Sequence, residues 1–247
     1  MSQLIIGVDC ATKPRRTGLA RAEHGQGRWK ATDLMVCDGD QHPVEIVVGW
    51  LQDADSALLA LDAPLGWPAA LGRALGRHSA GEPVAVPGDL LFRRLTDRVV
   101  AEQTGKTPLE VGADRIARTA HSALLFLDHV RKATAEPIPL AWDIPLRHRV
   151  EAIEVYPAAT MLVRGGSLRG YKKPEAESAR TALLDTLAPA CDVEGVKEAA
   201  VGNHDCLDAL ACVVAGIDFL EGKAVGPKDL DIARREGWIW FREPGHV

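Results

Sequence analysis

Five carboxylates in this 247-residue chain stand where short acidic side chains can meet at one site. Asp9 follows Ile5-Ile-Gly-Val8 and Asp62 follows Ala57-Leu-Leu-Ala-Leu61, so each ends an apolar run of strand character. Glu154 is flanked by Ile153 and Val155. In a strand its side chain points to the face opposite theirs, and a glutamate inside such a run needs a partner, a metal or solvent. Asp205 and Asp208 are three apart, which on a helix places both on one face, where two like charges call for a cation or a donor. Mg²⁺ and Mn²⁺ take oxygen ligands and are held by a few carboxylates together with substrate phosphate oxygens. Two such ions about 4 Å apart activate water and stabilise the leaving oxygen in phosphodiester hydrolysis. The expected chemistry is a Mg²⁺ or Mn²⁺ site assembled from several elements. Asp9, Asp62 and Asp208 are its core ligands, and Glu154 or Asp205 completes the shell.

Each acid also has a plainer reading. Asp9 and Asp62 can be aspartates that start turns. Asp205 and Asp208 lie near a helix start, where the helix dipole favours anions without any metal. Among the basic residues, Lys172 and Lys173 follow the loop Gly165-Gly-Ser-Leu-Arg-Gly170, with Arg164 and Arg169 nearby. Such a cluster can contact phosphates, and Lys172 is the residue expected to meet the scissile group; a solvated loop is the alternative. Lys13, Arg15 and Arg16 make a second basic turn beside Asp9, and Arg93 or Arg94 is at helical spacing to pair with Asp97. His204 adjoins Asp205 and could move protons or merely cap the helix. Trp67, Trp142, Trp238 and Trp240 could stack on bases, with core packing as the default.

The elements that must position these groups follow from periodicity and punctuation. Leu4–Val8 reads as a strand, with return strands from Gly18 and from Trp29 to Cys37, so the chain opens as an antiparallel meander. Pro43 to Leu51 has helical spacing behind a first-turn proline, and Ala57–Leu61 suits a buried strand. From about 69 to 149 the pattern is mostly helical, clearest over 90–103 and 116–133, and reads as an insertion. Glu151 to Tyr156 is a further strand closed by Pro157. Glu175 to Leu187 is a helix, as is the run from His204 to Leu220 behind the Asn203 cap, and Trp238-Ile-Trp-Phe241 is a last short strand. Hairpin-linked strands followed by strands separated by helices give a mixed α/β sheet of ribonuclease H type, flanked by helices, within one domain spanning 1–247.

Composition narrows the classes. A formal net charge of −5 argues against strong sequence-independent nucleic-acid binding, which depends on Lys and Arg neutralising phosphates. Five irregularly spaced cysteines form neither a disulfide framework nor a zinc pattern, which fits a reducing compartment. The opening apolar run is too short for a signal peptide or a membrane span and has no basic segment ahead of it, so a cytoplasmic protein without membrane contact is expected.

Taken in order, Gly7-Val-Asp9, Leu61-Asp-Ala-Pro-Leu-Gly66, Glu154-Val-Tyr-Pro157, Tyr171-Lys-Lys173 and Asp205-Cys-Leu-Asp-Ala-Leu210 resemble the family catalogued as domain of unknown function 429, described as predicted nucleases of the ribonuclease H-like superfamily. The likeness runs from Leu4 to the terminal Trp238–Phe241 segment. It implies a catalytic aspartate on the first strand, here Asp9, a second acidic ligand on the fourth, here Asp62, and acids on the last helix, here Asp208 with Asp205. Glu154 matches a further acidic segment of the family. The chain departs from the commoner family pattern between Ala69 and Arg149 and in the Thr12–Thr17 turn. The function expected is metal-dependent hydrolysis of phosphodiester bonds in nucleic acid. Two rivals stand beside it. One is a phosphotransferase or ATPase of the actin-like variant, which normally needs two copies of the core where this length has room for one. The other is a non-catalytic binding module that keeps the fold.

Overall fold

The computed structural model describes residues 3–39, 42–112 and 114–245. Its centre is a six-stranded sheet built from β1 (Gln3–Asp9), β2 (Gly18–Gly25), β3 (Arg28–Val36), β4 (Ser56–Asp62), β5 (Val150–Val155) and β6 (Ile239–Trp240), in the spatial order β3-β2-β1-β4-β5-β6. The first three strands pair antiparallel, and β1, β4, β5 and β6 pair parallel, so the expected meander and the parallel half both occur. β1 and β4 lie at the centre and are buried on both faces, which is why both read as unbroken apolar runs rather than as alternating ones.

Strand parity assigns the two faces. Ile5, Leu58, Ala60, Ile153 and Val155 share one core with α9 (His204–Leu220), while Leu4, Ile6, Val8, Leu59, Leu61, Val150 and Ala152 share another with α1 (Pro43–Gln52) and α5 (Asp114–Thr134). Residues from Cys206 to Phe219 of α9 are all buried. This helix lies between the sheet and an outer layer of α6 (Pro157–Leu162), α7 (Glu177–Leu187) and α8 (Lys197–Gly202). Two glycines let it come so close. A Cβ on Gly7 of β1 would lie 2.1 Å from the Ala209 carbonyl oxygen, and one on Gly18 of β2 would lie 2.4 Å from that of Asp205. The small side chains of Gly7, Gly18 and Ala209 thus allow the helix backbone to touch the strands, which brings its first turn down onto the end of β1.

The 69–149 stretch holds α2 (Ala69–Leu75), α3 (Gly88–Phe92), α4 (Leu95–Thr104) and α5. The single helical pattern expected near 90–103 is split at Arg93 and Arg94, because Arg94 is the N-cap of α4 and its backbone N–H donates to Asp97. Three helices lie where none was expected: α6, α8 and α10 (Leu230–Glu236). Pro157 does not close the segment after β5; it opens α6, since a helix start needs no N–H at that position. Asp229 caps α10, accepting from Ile232 N–H at 3.0 Å. Among the described residues no helix is long and apolar enough to cross a membrane.

Candidate active site

Asp9 and Asp62 are register partners at the carboxyl ends of the adjacent parallel strands β1 and β4. By parity both side chains take the face covered by α9. The chain changes direction between these strands, from the hairpin-linked half of the sheet to the parallel half, and such a crevice at the strands' carboxyl ends is where open α/β sheets bind ligands. Opposite them, Asn203 Oδ1 accepts the Asp205 N–H at 2.7 Å and fixes the start of α9. One turn further in is Asp208, 1% exposed. Its Oδ1 accepts from the Tyr171 hydroxyl at 2.9 Å and its Oδ2 from Lys172 Nζ at 2.8 Å. Lys172 lies 5.4 Å from the Tyr171 ring centre, a cation–π contact that steadies an otherwise exposed ammonium.

The loop that carries these two residues is held from below by Arg180 of α7. This buried guanidinium donates to the carbonyl oxygens of Tyr171 at 2.9 Å, Lys173 at 2.7 Å and Pro174 at 3.0 Å, and also to that of Val201. The sequence carries a signal for it. Arg180 begins the i, i+3, i+4, i+7 stripe completed by Leu183, Leu184 and Leu187, so a charge occupies a core position of an amphipathic helix.

The acids perturb one another. Burial, then Asp62, Asp208 and Asp205, hold the Asp9 carboxyl well above the usual range, with Lys172 opposing. Burial, then Asp208, push Asp62 up to about 8, again against Lys172. Burial raises Asp208 too, although Lys172 and the Tyr171 hydrogen bond work to keep it ionised. Burial works against the charge on Lys172, but Asp208, Asp9 and Asp62 outweigh it and hold the ammonium above its ordinary value. Asp205 is less buried and pairs with His204, whose Nε2 is 3.0 Å from its Oδ1. It joins the cluster chiefly as a nearby charge on Asp9.

Glu154 lines the same cleft and its charge helps to raise Asp62, but its oxygens have partners of their own. Strand parity turns it to the opposite face of the sheet, with Val150 and Ala152, where both its oxygens are engaged. Oε1 accepts from Arg94 Nη2 at 2.7 Å, and Oε2 from Arg94 Nη1 at 2.9 Å and from Leu65 N–H at 2.9 Å. Arg94 also grips Asp97 through Nη2 at 2.8 Å and Nε at 3.2 Å, so the expected local pair with Asp97 is part of a larger buried network. Glu236 extends that network by accepting from Ala69 N–H and Leu95 N–H, both at 2.8 Å, at the starts of α2 and α4. The role of Glu154 in the geometry is to hold the turn after Asp62. Of the basic candidates, Arg164 is committed to Asp218 at 2.6 and 2.7 Å, Arg93 to Asp89 and Glu110, and Lys13, Arg15 and Arg16 lie exposed. Trp238 and Trp240 are buried in the core.

Among the described residues no three His, Cys, Asp or Glu side chains form a ready cage for a metal ion. Mg²⁺ does not need one: it usually keeps several waters and is held by one or two carboxylates plus substrate phosphates. The donor set fits that mode, since Asp9, Asp62 and Asp208 are hard oxygen donors that face a single ammonium from Lys172 and are raised by mutual repulsion. In front of Asp62, Asp208 and Lys172 opens a cleft of about 790 Å³.

A family model described as a protein of unknown function (DUF429) matches residues 7–231. The chain belongs to the DUF429 family. The match spans the clustered acids, Tyr171, Lys172 and Arg180, the end of β1 and all of β2 to β5, and stops at the start of α10, before β6. No curated protein and no solved structure is a significant match to this DUF429 chain.

Proposed function

We propose that this DUF429 protein is a Mg²⁺- or Mn²⁺-dependent nuclease on a ribonuclease H-like core. The sheet order supports the fold reading: a hairpin-linked antiparallel trio followed by parallel strands with helices on both faces. The observation that carries the activity is that Asp9, Asp62 and Asp208, from three elements, lie close enough to repel one another beside Lys172, with Asp208 buried and Asp9 and Asp62 partly exposed. Asp9 and Asp62 would hold the cation, with Asp208 as third acid and Asp205 at the flank. A bound divalent cation would supply Lewis-acid polarisation of a phosphoryl oxygen and water of lowered pKa as nucleophile.

The remaining work belongs to the chain's own residues. Lys172, anchored on Asp208, presents a point charge to a phosphate oxygen as negative charge develops. Tyr171 occupies the other Asp208 oxygen, so the carboxylate cannot rotate away, and Arg180 fixes the loop that supplies both partners. Because Asp9 and Asp62 have raised proton affinity, cation binding must displace protons and strengthens as pH rises.

Calorimetric titration with Mn²⁺, run on the wild type beside Asp9→Asn and Asp208→Asn and paired with cleavage of labelled DNA and RNA, tests the reading. Binding and strand cleavage in the wild type, lost in Asp9→Asn, are expected. Absence of Mn²⁺ binding in the wild type sinks the proposal, and ATP hydrolysis without strand cleavage transfers the site to a phosphotransferase.

A further inference from the structure

The cleft in front of the acids is closed on one side by a segment that belongs to the helical insertion. Lys106, Pro108 and Leu109, from the link between α4 and α5, and Ile116 and Thr119 of α5 all line it. The lining also has an apolar part, with Leu109, Ile116 and Leu168. Leu109 is 68% exposed, a large aliphatic side chain left open to solvent at a cleft that also holds catalytic-type acids. The chain has two tyrosines, and both line this cleft: Tyr171 on Asp208, and the half-buried Tyr156, whose phenol is pushed up to about 12 by burial and then by Asp62 and so stays a donor. Three exposed lysines belong to the same lining, Lys172 and Lys173 on the loop held by Arg180 and Lys106 on the insertion. In a chain of net charge −5, this is a local concentration of cations over an acidic floor.

A volume of about 790 Å³ is that of a small-ligand pocket, not of a groove that seats a double helix. A paired base reaches a pocket of this kind only by leaving its stack, whereas a single strand offers its bases unpaired. Apolar and aromatic side chains next to lysines are the combination that takes a base face and a phosphate together.

We infer that the cleft takes one unpaired nucleotide of a single-stranded nucleic acid, its base against Leu109, Ile116 and Leu168 and its phosphates by Lys106, Lys172 and Lys173. The inference rests on the phosphodiesterase reading of the same acids and adds the substrate class to it: the insertion excludes the duplex. A nucleoside monophosphate shares the chemistry, but the three lysines come from two separate segments, the loop at 172–173 and the insertion, which suits the successive phosphates of a strand.

The test is fluorescence anisotropy with the full chain in Mn²⁺, using a labelled single strand of about 12 nucleotides, which offers unpaired bases on either side of the one in the cleft, and the same sequence as a duplex. Cleavage of both probes is followed in parallel. The single strand is expected to bind at least roughly tenfold tighter than the duplex, and Leu109→Glu to weaken the single strand by about tenfold at an unchanged melting temperature, since it removes exposed apolar contact area and sets a negative charge beside the phosphates. Equal or tighter binding of the duplex, or a Leu109→Glu protein that binds the strand as before, overturns the inference. A nucleoside 5′-monophosphate that binds as tightly as the strand assigns the pocket to free nucleotides and overturns the strand as its occupant. The two readings fail separately: cleavage without single-strand preference removes this inference and leaves the nuclease, while single-strand binding without Mn²⁺-dependent cleavage removes the nuclease and leaves the pocket.

Discussion

Replacing Arg94 by methionine separates a structural Glu154 from a metal-binding one. In the wild type the Arg94 guanidinium, 1% exposed, makes five hydrogen bonds, to both oxygens of Glu154, both of Asp97 and the Glu236 carbonyl. Methionine fills much of the volume but leaves two buried carboxylates without their cation. Breaking a buried pair by removing one partner costs about 3–5 kcal/mol, and here two anions lose the same partner, so the upper end applies. For a chain of this length each kcal/mol moves the melting temperature by roughly 2–4 °C, giving a fall on the order of 10–20 °C. Glu154→Gln should cost less, about 1–3 kcal/mol, because Arg94 keeps Asp97 and the glutamine oxygen can still accept from Leu65 N–H. Thermal unfolding followed by tryptophan fluorescence reads both, with Mn²⁺ titration on the same samples. A Glu154→Gln protein that melts like the wild type but no longer binds Mn²⁺ refutes the argument and restores Glu154 as a ligand.

Three further outcomes are expected. A carboxyl with a folded-state value of about 8 against an ordinary 3.8 keeps a proton that the unfolded chain has lost, so Asp62 makes the metal-free protein less stable as pH rises between those values. The loss is at most about 1.4 kcal/mol per pH unit, and urea midpoints at about pH 5.5 and 7.5 should show a shallower fall for Asp62→Asn than for the wild type; equal slopes contradict the assignment. Lys172→Met should lower turnover roughly 100-fold while Mn²⁺ affinity holds or increases, because the ammonium and the cation compete for the acids; steady-state kinetics beside calorimetry checks this, and a loss of affinity with normal turnover speaks against it. Gly18→Ala places a methyl 2.4 Å from the Asp205 carbonyl oxygen and should destabilise the fold by about 1–3 kcal/mol and weaken Mn²⁺ binding by moving the start of α9; a melting temperature at the wild-type value counts against the close packing.

The sequence by itself determined the central strands and the placing of acids at their ends. Buried parallel strands are apolar throughout, so Asp9 and Asp62 stood out as the first polar residues after such runs. Asn203 and the 204–220 spacing likewise marked α9, since capping and amphipathic patterns are local. Short helices such as α6, α8 and α10 span too few residues for a period to show, and a proline such as Pro157 can stop one element or start the next. Only the tertiary structure decided which acids share a site. Glu154 stands inside an apolar run and so needs a partner, but the sequence does not name it: Arg94 lies 60 residues away on the insertion. By sequence Asp208 fits a cap or a site residue alike; Gly7 and Gly18 admit the helix backbone onto the strands, and the loop bearing Lys172 gains its place from Arg180. Periodicity records what each segment needs to bury, whereas charge pairing and backbone approach depend on contacts between distant segments that packing alone brings together.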